Sequence, residues 1–413
     1  MSQTEMVQIN GTRFWESIYE MAKIGATARG GVKRLAFSDL DYVGRDLFIE
    51  QCEELNMSIS RDAIGNIFAT MRGQDPTLPL VRVGSHLDSQ PTGGKYDGAL
   101  GVLAALEIAR SIYESGKRPL RTLQIINFAN EEGARFSPPM MGSGVLSGKL
   151  DLETMLNTVD QDGITAREAI KADKTGQYPL LEPHPVHSFF ELHIEQGPIL
   201  EEEAIDIGIV TGAQAQRWYT LDIFGQESHA GPTPMPHRKD ALAGAAEFTL
   251  AVEQIARQHA PDGRGTVGTI TIPNASPNVV PGTVRLTIDT RHPSDEKLLE
   301  MKAQLETTAV SIASQRKLEF HLSQLWHSPA TPFDEHLQQR LTHFANKRGY
   351  SSRLIWSGAG HDAVYMAAMG VPTVMLFVPT KDGISHNESE SIKQSDAIAG
   401  CQILCDAVVE QLM

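Results

Sequence analysis

Cysteine is scarce in this sequence, with only three residues among 413. An odd count of Cys52, Cys401 and Cys405 does not make a disulfide framework. Cys401 and Cys405 lie four residues apart in a predicted helix without neighbouring histidines, which indicates a packed core and not a metal site. Aromatic residues are also few, at 6%, beside 41% hydrophobic and 21% charged residues. This composition is that of an ordinary globular protein.

The sequence also lacks a basic stripe and any long apolar run. The formal net charge of -15 argues against nucleic acid as a partner. The longest apolar run, VPTVMLFVP, is much shorter than the roughly 20 residues that span a bilayer, so we expect no membrane partner. The first residues, MSQTEMVQIN, have neither a basic nor an apolar signal region, which predicts no signal peptide and a cytoplasmic location.

The chain is long enough for two domains. The strand-like segments NIFATMRG, LVRVGSHLD and RTLQIINFAN, with the helical ALGVLAALEIARSIYES before the last, predict an α/β domain with a mostly parallel central sheet. From Gln214 the predicted order becomes β-α-β-β-α-β, which is typical of a ferredoxin-like sandwich. We therefore predict a catalytic domain at residues 1–213 and 329–413 and an inserted domain at 214–328.

Two motifs place acidic residues directly after predicted strands. GSHLDSQPTGGKYDG supplies His86, Asp88 and Asp97, and INFANEEGARF ends its strand with Glu131 and Glu132. Side chains at the carboxyl end of a strand lie where α/β sheets bind ligands. Adjacent buried carboxylates repel each other unless a cation neutralises them, so the pair indicates a metal site.

Two further motifs add histidines beside apolar strands. His193 lies within FFELHIEQGPIL, and His386 follows the VPTVMLFVP strand in GISHNESE. Each histidine alone is more typical of a hydrogen-bonded structural residue than of a ligand. Together the four motifs offer His, Asp, Glu, His and His, which is a ligand set suited to Zn²⁺ or Mn²⁺.

The motifs GSHLDSQPTGGKYDG, NEEGARF, ELHIEQGP, ESHAGPTPM, PNVVPG, SGAGHDA and GISHNESE, in this order, resemble the hydantoinase/carbamoylase group of the co-catalytic metallopeptidase clan. That group includes N-carbamoyl-L-amino acid hydrolases, β-ureidopropionases and allantoate amidohydrolases. The resemblance covers nearly the whole chain. It implies a zinc-exopeptidase-like catalytic domain, with the inserted domain acting as a lid and as the surface of a homodimer.

The resemblance implies two divalent metal ions per chain, zinc or manganese, with cobalt or nickel as possible substitutes. It assigns His86, Asp97 and His193 to one metal. It assigns Asp97, Glu132 and His386 to the other metal, so the carboxylate of Asp97 is shared by both. By the same resemblance Glu131 is the general base, which removes a proton from the water that bridges the two metals and so forms hydroxide. Asp88 is the carboxylate expected to orient His86 through its other ring nitrogen.

The resemblance also implies a substrate-binding set. His229 would stabilise the oxyanion across a subunit boundary, and Asn278 and Arg291 would hold the substrate carboxylate. Gln196 would contact the ureido group, and Gly360 would offer its main chain.

His361 and Asp362 follow Gly360, and we interpret them as supporting or helix-capping residues and not as ligands, because the ligand set is already complete. Closure of the inserted domain about hinges near residues 213 and 328 is expected to exclude water.

The predicted function is metal-dependent hydrolysis of N-carbamoyl-L-amino acids, or of N-carbamoyl-β-alanine, to amino acid, CO₂ and ammonia. Allantoate amidohydrolase is the alternative, because its ureido carboxylate substrate has the same groups. An aminoacylase or peptidase of the clan fits less well, since those relatives carry a carboxylate where His193 stands. A non-catalytic binding protein is disfavoured because all five ligands and Glu131 are present.

Overall fold

The computed structural model describes residues 7–171 and 174–413. In this part of the chain the strands, in chain order, are β1 (Ser58–Arg61), β2 (Ile67–Met71), β3 (Leu80–His86), β4 (Leu123–Phe128), β5 (Val186–Ile194), β6 (Ile207–Ala213), β7 (Ala215–Phe224), β8 (Ser228–His229), β9 (Arg264–Thr271), β10 (Val279–Val280), β11 (Thr283–His292), β12 (Glu319–Ser328), β13 (Thr331–Pro332), β14 (Ser352–Ser357) and β15 (Thr373–Val378). The α-helices are α1 (Gly11–Lys23), α2 (Asp39–Glu53), α3 (Ala99–Glu114), α4 (Met141–Leu146), α5 (Leu152–Leu156), α6 (Ala166–Lys171), α7 (Ile199–Glu202), α8 (Ala241–Gln258), α9 (Asp295–Arg316), α10 (Glu335–Arg348), α11 (Asp362–Ala368) and α12 (Gln394–Leu412).

The chain divides into two compact units. Unit 1 comprises Met1–Gly212 and Pro332–Met413, and unit 2 comprises Ala213–Thr331. Each has its own hydrophobic core. The second segment therefore interrupts the first in sequence and folds around apolar residues of its own.

Unit 1 is built on a large mixed sheet with the strand order β1-β2-β4-β3-β5-β15-β6-β13, and β14 pairs with β6. The central neighbours β4, β3, β5 and β15 are parallel to one another, whereas β1, β2 and β6 pair antiparallel towards the flanks. The parallel centre confirms the predicted α/β class. Strand β3 is buried along its whole length, which explains why its residues other than Arg82 and His86 are small or apolar.

Amphipathic helices cover this sheet. In α1 the side chain of Asn10 accepts a hydrogen bond from the Arg13 N–H and so caps the first turn. Phe14, Ile18 and Met21 then recur at helical spacing and are all buried. Helix α3 is apolar on nearly every side because it packs between β3, α1 and α12.

Unit 2 is a four-stranded antiparallel sheet with the order β12-β7-β11-β9, with α8 and α9 packed on one face. In β7 the buried residues Tyr219, Leu221 and Ile223 alternate with more exposed ones, as a strand with one covered face requires. The order of elements and of strands is that of a ferredoxin-like sandwich. Its role as a lid and dimerisation surface stays a prediction.

None of the helices in the described ranges combines the length and the apolar character that a membrane span needs.

Candidate metal centre

Three parallel strands deliver most of the predicted ligands to one end of the central sheet. His86 is the last residue of β3, and His193 lies one residue before the end of β5. Strand β4 lies beside β3, with Phe128 opposite His86, so the chain reaches Glu131 and Glu132 just beyond this edge. Because the carboxyl ends of parallel strands meet at the same edge, distant segments of sequence converge there.

The first cluster consists of His86, Asp97 and His193, and all three residues are buried. The Nε2 atoms of His86 and His193 lie 3.6 Å and 3.3 Å from Oδ1 of Asp97. Gly98, next to Asp97, makes this approach possible. It has a φ of +65°, and a Cβ atom there would lie 2.3 Å from the His86 ring.

Main-chain carbonyl groups set the orientation of both imidazole rings. Nδ1 of His86 lies 2.9 Å from the carbonyl oxygen of Asp88, and Nδ1 of His193 lies 3.0 Å from that of Ile194. A carbonyl oxygen can only accept a hydrogen bond, so each ring carries its proton on Nδ1. In the neutral form of each ring, Nε2 is then the unprotonated nitrogen and faces the cluster, which is the form in which histidine binds a metal.

The second cluster consists of Asp97, Glu132 and His386. Nε2 of His386 lies 3.3 Å from Oε2 of Glu132 and 3.6 Å from Oδ2 of Asp97. The carboxylate of Glu132 is held by Gln90, whose main-chain N–H and side-chain amide donate to it at 3.2 Å and 2.7 Å. The two clusters therefore share Asp97, which presents one carboxylate oxygen to each.

This arrangement fits a pair of divalent cations. Burial and the nearby Asp97 raise the pKa of Glu132 to about 8, and burial together with Asp362 and Glu132 raises the pKa of Glu131 well above its usual range. Such shifts report carboxylates that repel one another in a buried pocket. Positive charge between them relieves that repulsion, and a set of imidazole nitrogens and carboxylate oxygens suits Zn²⁺ or Mn²⁺.

Glu131 lies beside the first cluster but outside both ligand groups. Its Oε2 is 3.5 Å from Nε2 of His86, and its side chain is almost fully buried. Its main-chain N–H donates to Oδ1 of Asp88 at 3.1 Å, while the N–H of Glu132 donates to Oδ2 at 3.2 Å. Asp88 thus fixes both glutamates through their main chains.

The contact between Asp88 and His86 corrects one detail of the sequence-based prediction. The prediction is that the Asp88 carboxylate holds Nδ1 of His86. In the structure Oδ1 of Asp88 lies 3.7 Å from Nδ1, and the carbonyl oxygen of Asp88 makes the 2.9 Å contact instead. The physical reason is that the carboxylate is already engaged by two main-chain donors.

Gln196 borders the shared carboxylate. Its Nε2 donates to Oδ2 of Asp97 at 2.8 Å, and its main-chain N–H donates to Thr380 Oγ1 at 3.1 Å. Its buried Oε1 has no hydrogen-bond partner within the described part of the chain. That oxygen can therefore accept a further hydrogen bond.

The SGAGHDA segment packs against the first cluster. The ring of His361 lies against that of His193, with centroids 4.5 Å apart, and its Nε2 is 2.9 Å from Ser357 Oγ. Asp362 accepts a hydrogen bond from Ser143. His361 stands at the cap position of α11 but its side chain makes no capping bond, so it supports His193 and does not cap the helix.

Glu191 forms a third potential ligand group with His193 and His361. Its carboxylate accepts hydrogen bonds from Ser85 Oγ at 2.7 Å and from the Ala363 N–H at 3.3 Å. Gly360 lies close to Met140, whose methyl carbon would be 2.8 Å from a Cβ at this position.

Unit 2 brings two of its predicted substrate residues together. His229 lies on β8, Asn278 directly precedes β10, and these strands pair. The N–H of Ala230 donates to the carbonyl oxygen of Asn278 at 2.8 Å. Arg291, near the end of β11, forms an ion pair of 2.6 Å with Asp289.

Three polar residues of the centre were not identified from the sequence: Gln90, Ser385 and Glu390. Ser385 Oγ lies 2.7 Å from Oδ2 of Asp97, and the carboxylate of Glu390 accepts the main-chain N–H of Asp97 at 3.2 Å. Their signal was available, because each lies in a motif that contains or adjoins a predicted ligand.

Comparison with known proteins agrees with this geometry. The model of "Peptidase family M20/M25/M40" matches residues 83–410. An N-carbamoyl-L-amino-acid amidohydrolase of Rhizobium meliloti is 40% identical over 403 residues, which cover 98% of this chain and 97% of the relative. A ureidoglycolate hydrolase of Arabidopsis thaliana is 33% identical, with 94% and 83% of the two chains covered. The crystal structure of a hydantoinase/carbamoylase family amidase from Burkholderia multivorans superposes with a TM-score of 0.92 at 44% identity, covering 98% of both chains.

Proposed function

Because the chain belongs to peptidase family M20/M25/M40, we propose that it hydrolyses N-carbamoyl-L-amino acids, or N-carbamoyl-β-alanine, to amino acid, CO₂ and ammonia. The protein is a hydrolase of a non-peptide C–N bond. The observation that carries the proposal is the pair of three-ligand clusters sharing Asp97, with the non-ligand carboxylate of Glu131 beside them. Similarity to named amidohydrolases across nearly the whole chain supports the ureido substrate.

The five ligands of the two clusters would hold the metals, Zn²⁺ or Mn²⁺, with Co²⁺ or Ni²⁺ as substitutes. When bound, two such cations polarise a carbonyl group and lower the pKa of water. The rest of the chemistry depends on groups of the chain itself.

Glu131 is the proposed general base. Asp88 fixes its main chain, and its carboxylate oxygen lies at the edge of the first cluster. From there it accepts a proton from the attacking water and delivers it to the leaving nitrogen. A carboxylate that is not a ligand keeps both oxygens available for this transfer.

Gln196 is the proposed contact of the ureido group. Its Nε2 is fixed by Asp97, which leaves Oε1 as a buried acceptor without a partner among the described residues. A ureido group ends in an NH₂ donor that can satisfy this oxygen. An unsatisfied buried acceptor costs roughly 1–3 kcal/mol, so substrates that carry the donor are favoured over those that lack it.

Arg291 is the proposed partner of the substrate carboxylate, with Asn278 beside it. A guanidinium group can bind a carboxylate through two parallel hydrogen bonds. In this structure its Nη2 and Nε contact Asp289, and we propose that the substrate carboxylate competes for these donors. His229 is exposed on β8, and we propose that it stabilises the oxyanion, while Gly360 offers its main chain to the substrate.

A panel of substrates tests the proposal. Ammonia release is measured from N-carbamoyl-L-amino acids, N-carbamoyl-β-alanine, allantoate and ureidoglycolate, with Mn²⁺ or Zn²⁺ added to metal-free protein. We expect the N-carbamoyl-amino acids to be the best substrates. Similarity to ureidoglycolate hydrolase makes the other ureido acids the second candidate class. Amine release from acetyl or peptidyl substrates, without ammonia release from any ureido compound, overturns the assignment.

We also propose a cytoplasmic homodimer that associates through residues 214–328. The support for the dimer is the resemblance stated above. Three buried free cysteines are compatible with a reducing compartment. Sedimentation equilibrium of the full chain tests the oligomeric state, and a monomer at micromolar concentration would contradict it.

A further inference from the structure

Glu390 forms a buried anchor beneath the shared carboxylate. Its side chain is 3% exposed, and Oε1 accepts the main-chain N–H groups of Tyr96 at 2.9 Å and Asp97 at 3.2 Å. The same carboxylate packs directly against Gly94, because a Cβ atom at Gly94 would lie 2.0 Å from it. Glu390 therefore fixes the main chain that carries Asp97.

Ser385 connects this anchor to the Asp97 side chain. Its Oγ lies 2.7 Å from Oδ2 of Asp97 and 3.2 Å from Oε2 of Glu390. Oδ2 is the oxygen that faces the second cluster, at 3.6 Å from Nε2 of His386. The anchor thus reaches the bridging ligand through both its main chain and its side chain.

The position of His386 depends on the loop that also carries Ser385 and Glu390. Its side chain is 51% exposed, far more than the other ligands, and its main chain has a φ of +54°. Little packing holds this ring, and a non-glycine residue in the left-handed region needs support from its surroundings. Ser385 and Glu390, on either side of His386 in the loop, both bond to the segment that carries Asp97.

We propose that Glu390 is a positioning residue that joins the loop of His386 to the loop of Asp97 and so sets the geometry of the second cluster. Glu390 belongs to neither ligand group, and its Oε1 instead accepts the main-chain N–H groups of Tyr96 and Asp97. The first cluster depends less on this connection, because two of its three residues, His86 and His193, lie on β3 and β5 and only Asp97 is held by Glu390. The inference rests on the proposed two-metal centre.

Metal titration of metal-free protein tests the inference without any substrate. Zn²⁺ and Mn²⁺ binding is measured calorimetrically for the wild type and for Glu390→Ala, Glu390→Gln and Glu388→Ala. The control Glu388 lies in the same loop, but among the described residues its carboxylate forms an ion pair only with the exposed Arg29, at 3.9 Å. The glutamine keeps Oε1 as an acceptor for the two N–H groups and offers Ser385 a donor.

We expect Glu390→Ala to bind one ion within a few fold of the wild type and the second about 10–100-fold more weakly, as changes in residues that support metal ligands do. Glu390→Gln should restore the second ion to within a few fold, and Glu388→Ala should match the wild type. Equal weakening of both ions, or two undisturbed ions in Glu390→Ala, overturns the inference. A wild type that binds fewer than two ions contradicts the proposed metal centre instead.

Ser385→Ala keeps the test decisive if Glu390→Ala does not fold. This variant removes only the hydroxyl between the two carboxylates, and circular dichroism and the Tm of metal-free protein check its fold. We expect the same selective weakening of the second ion, smaller in size. A folded Ser385→Ala protein with both ions bound as in the wild type contradicts the inference.

Discussion

The carboxylate of Asp88 accepts the main-chain N–H of Glu131 at 3.1 Å, and its other oxygen accepts that of the next residue. The carbonyl oxygen of Asp88 holds the ring of His86. One residue therefore links the end of β3, which carries a proposed ligand, to the segment after β4, which carries the proposed base.

Asp88→Asn tests this link. An amide can accept at only one oxygen and turns a donor towards the second N–H, so one glutamate loses its anchor. We expect kcat to fall about 10–100-fold with weaker metal binding. The control is Asp75→Asn, because Asp75 also accepts a main-chain N–H, from Thr77, but does so at the surface. Kinetics and metal content that match the wild type in both variants would refute the role of Asp88.

Substitutions of the adjacent glutamates Glu131 and Glu132 are predicted to have different effects. Glu131→Gln should keep two bound ions and lose kcat by roughly 10²–10⁴-fold, because the proton acceptor is gone while both clusters are intact. Glu132→Gln should weaken the second ion, because a ligand is lost. Metal content by mass spectrometry and steady-state kinetics separate the two. Near-normal turnover in Glu131→Gln would exclude its role as base.

The sequence was enough to predict the parallel α/β centre and the residues that the structure brings together in the two clusters, for one shared reason. The ligands His86 and His193, and the Glu131–Glu132 pair, stand at or near the ends of apolar strands, and β3, β4 and β5 are neighbours in the sheet. Strand pattern and motif order therefore carry the spatial information. The α/β class is confirmed, whereas the individual catalytic roles stay predictions.

The supporting contacts could not be predicted in the same way. Glu390 and Tyr96 are 294 positions apart, and only the folded loops show that one accepts the N–H of the other. The Asp88 contact shows a second limit, because a sequence identifies a residue but not whether its carbonyl or its carboxylate makes the bond. Main-chain hydrogen bonds of loops leave little trace in side-chain patterns.

Two glycines with similar φ angles should respond differently to alanine. Gly98 and Gly116 have φ values of +65° and +68°, but only Gly98 has a neighbour where a Cβ would lie, the His86 ring at 2.3 Å. Gly116→Ala should cost about 1–2 kcal/mol of stability and leave metal binding unchanged. Gly98→Ala should also displace the His86 ring and weaken the first ion. Metal titration of both variants checks this, and normal binding in Gly98→Ala would contradict it.

Two arginine–carboxylate pairs with the same helical spacing allow a test of how burial changes the contribution of an ion pair to stability. Asp41 and Arg45 on α2 pair at 2.8 Å with both side chains 1% exposed, whereas Glu253 and Arg257 on α8 are exposed. Asp41→Asn removes the charge of the carboxylate that pairs with this buried guanidinium and should cost about 3–5 kcal/mol. Glu253→Gln should cost less than about 1 kcal/mol. Urea denaturation followed by circular dichroism measures both, and equal losses would contradict the dependence on burial.

The pH dependence of stability should carry a contribution from Asp62. Burial raises its pKa to about 6, although Asn66 donates to it from main chain and side chain at 2.8 Å and 2.6 Å. The folded protein then keeps this proton up to about pH 6, whereas the unfolded chain releases it near pH 4. Unfolding therefore releases a proton between these values, and stability falls as pH rises through them, by roughly 1–3 kcal/mol.

Asp62→Asn removes this group, so the difference in unfolding free energy between variant and wild type should shift in favour of the variant from pH 4 to pH 6 and then stay constant. Asp75→Asn is the control of opposite sign. Hydrogen bonds from Thr77 lower the pKa of Asp75, so its contribution is present above the unfolded pKa and is lost as pH falls. The contribution of Asp75 is lost mainly below about pH 4, so denaturation of metal-free protein at pH 3, 4, 5, 6 and 7 measures both differences. A pH-independent difference for Asp62→Asn would show that its carboxyl ionises in the folded protein as it does in the unfolded chain.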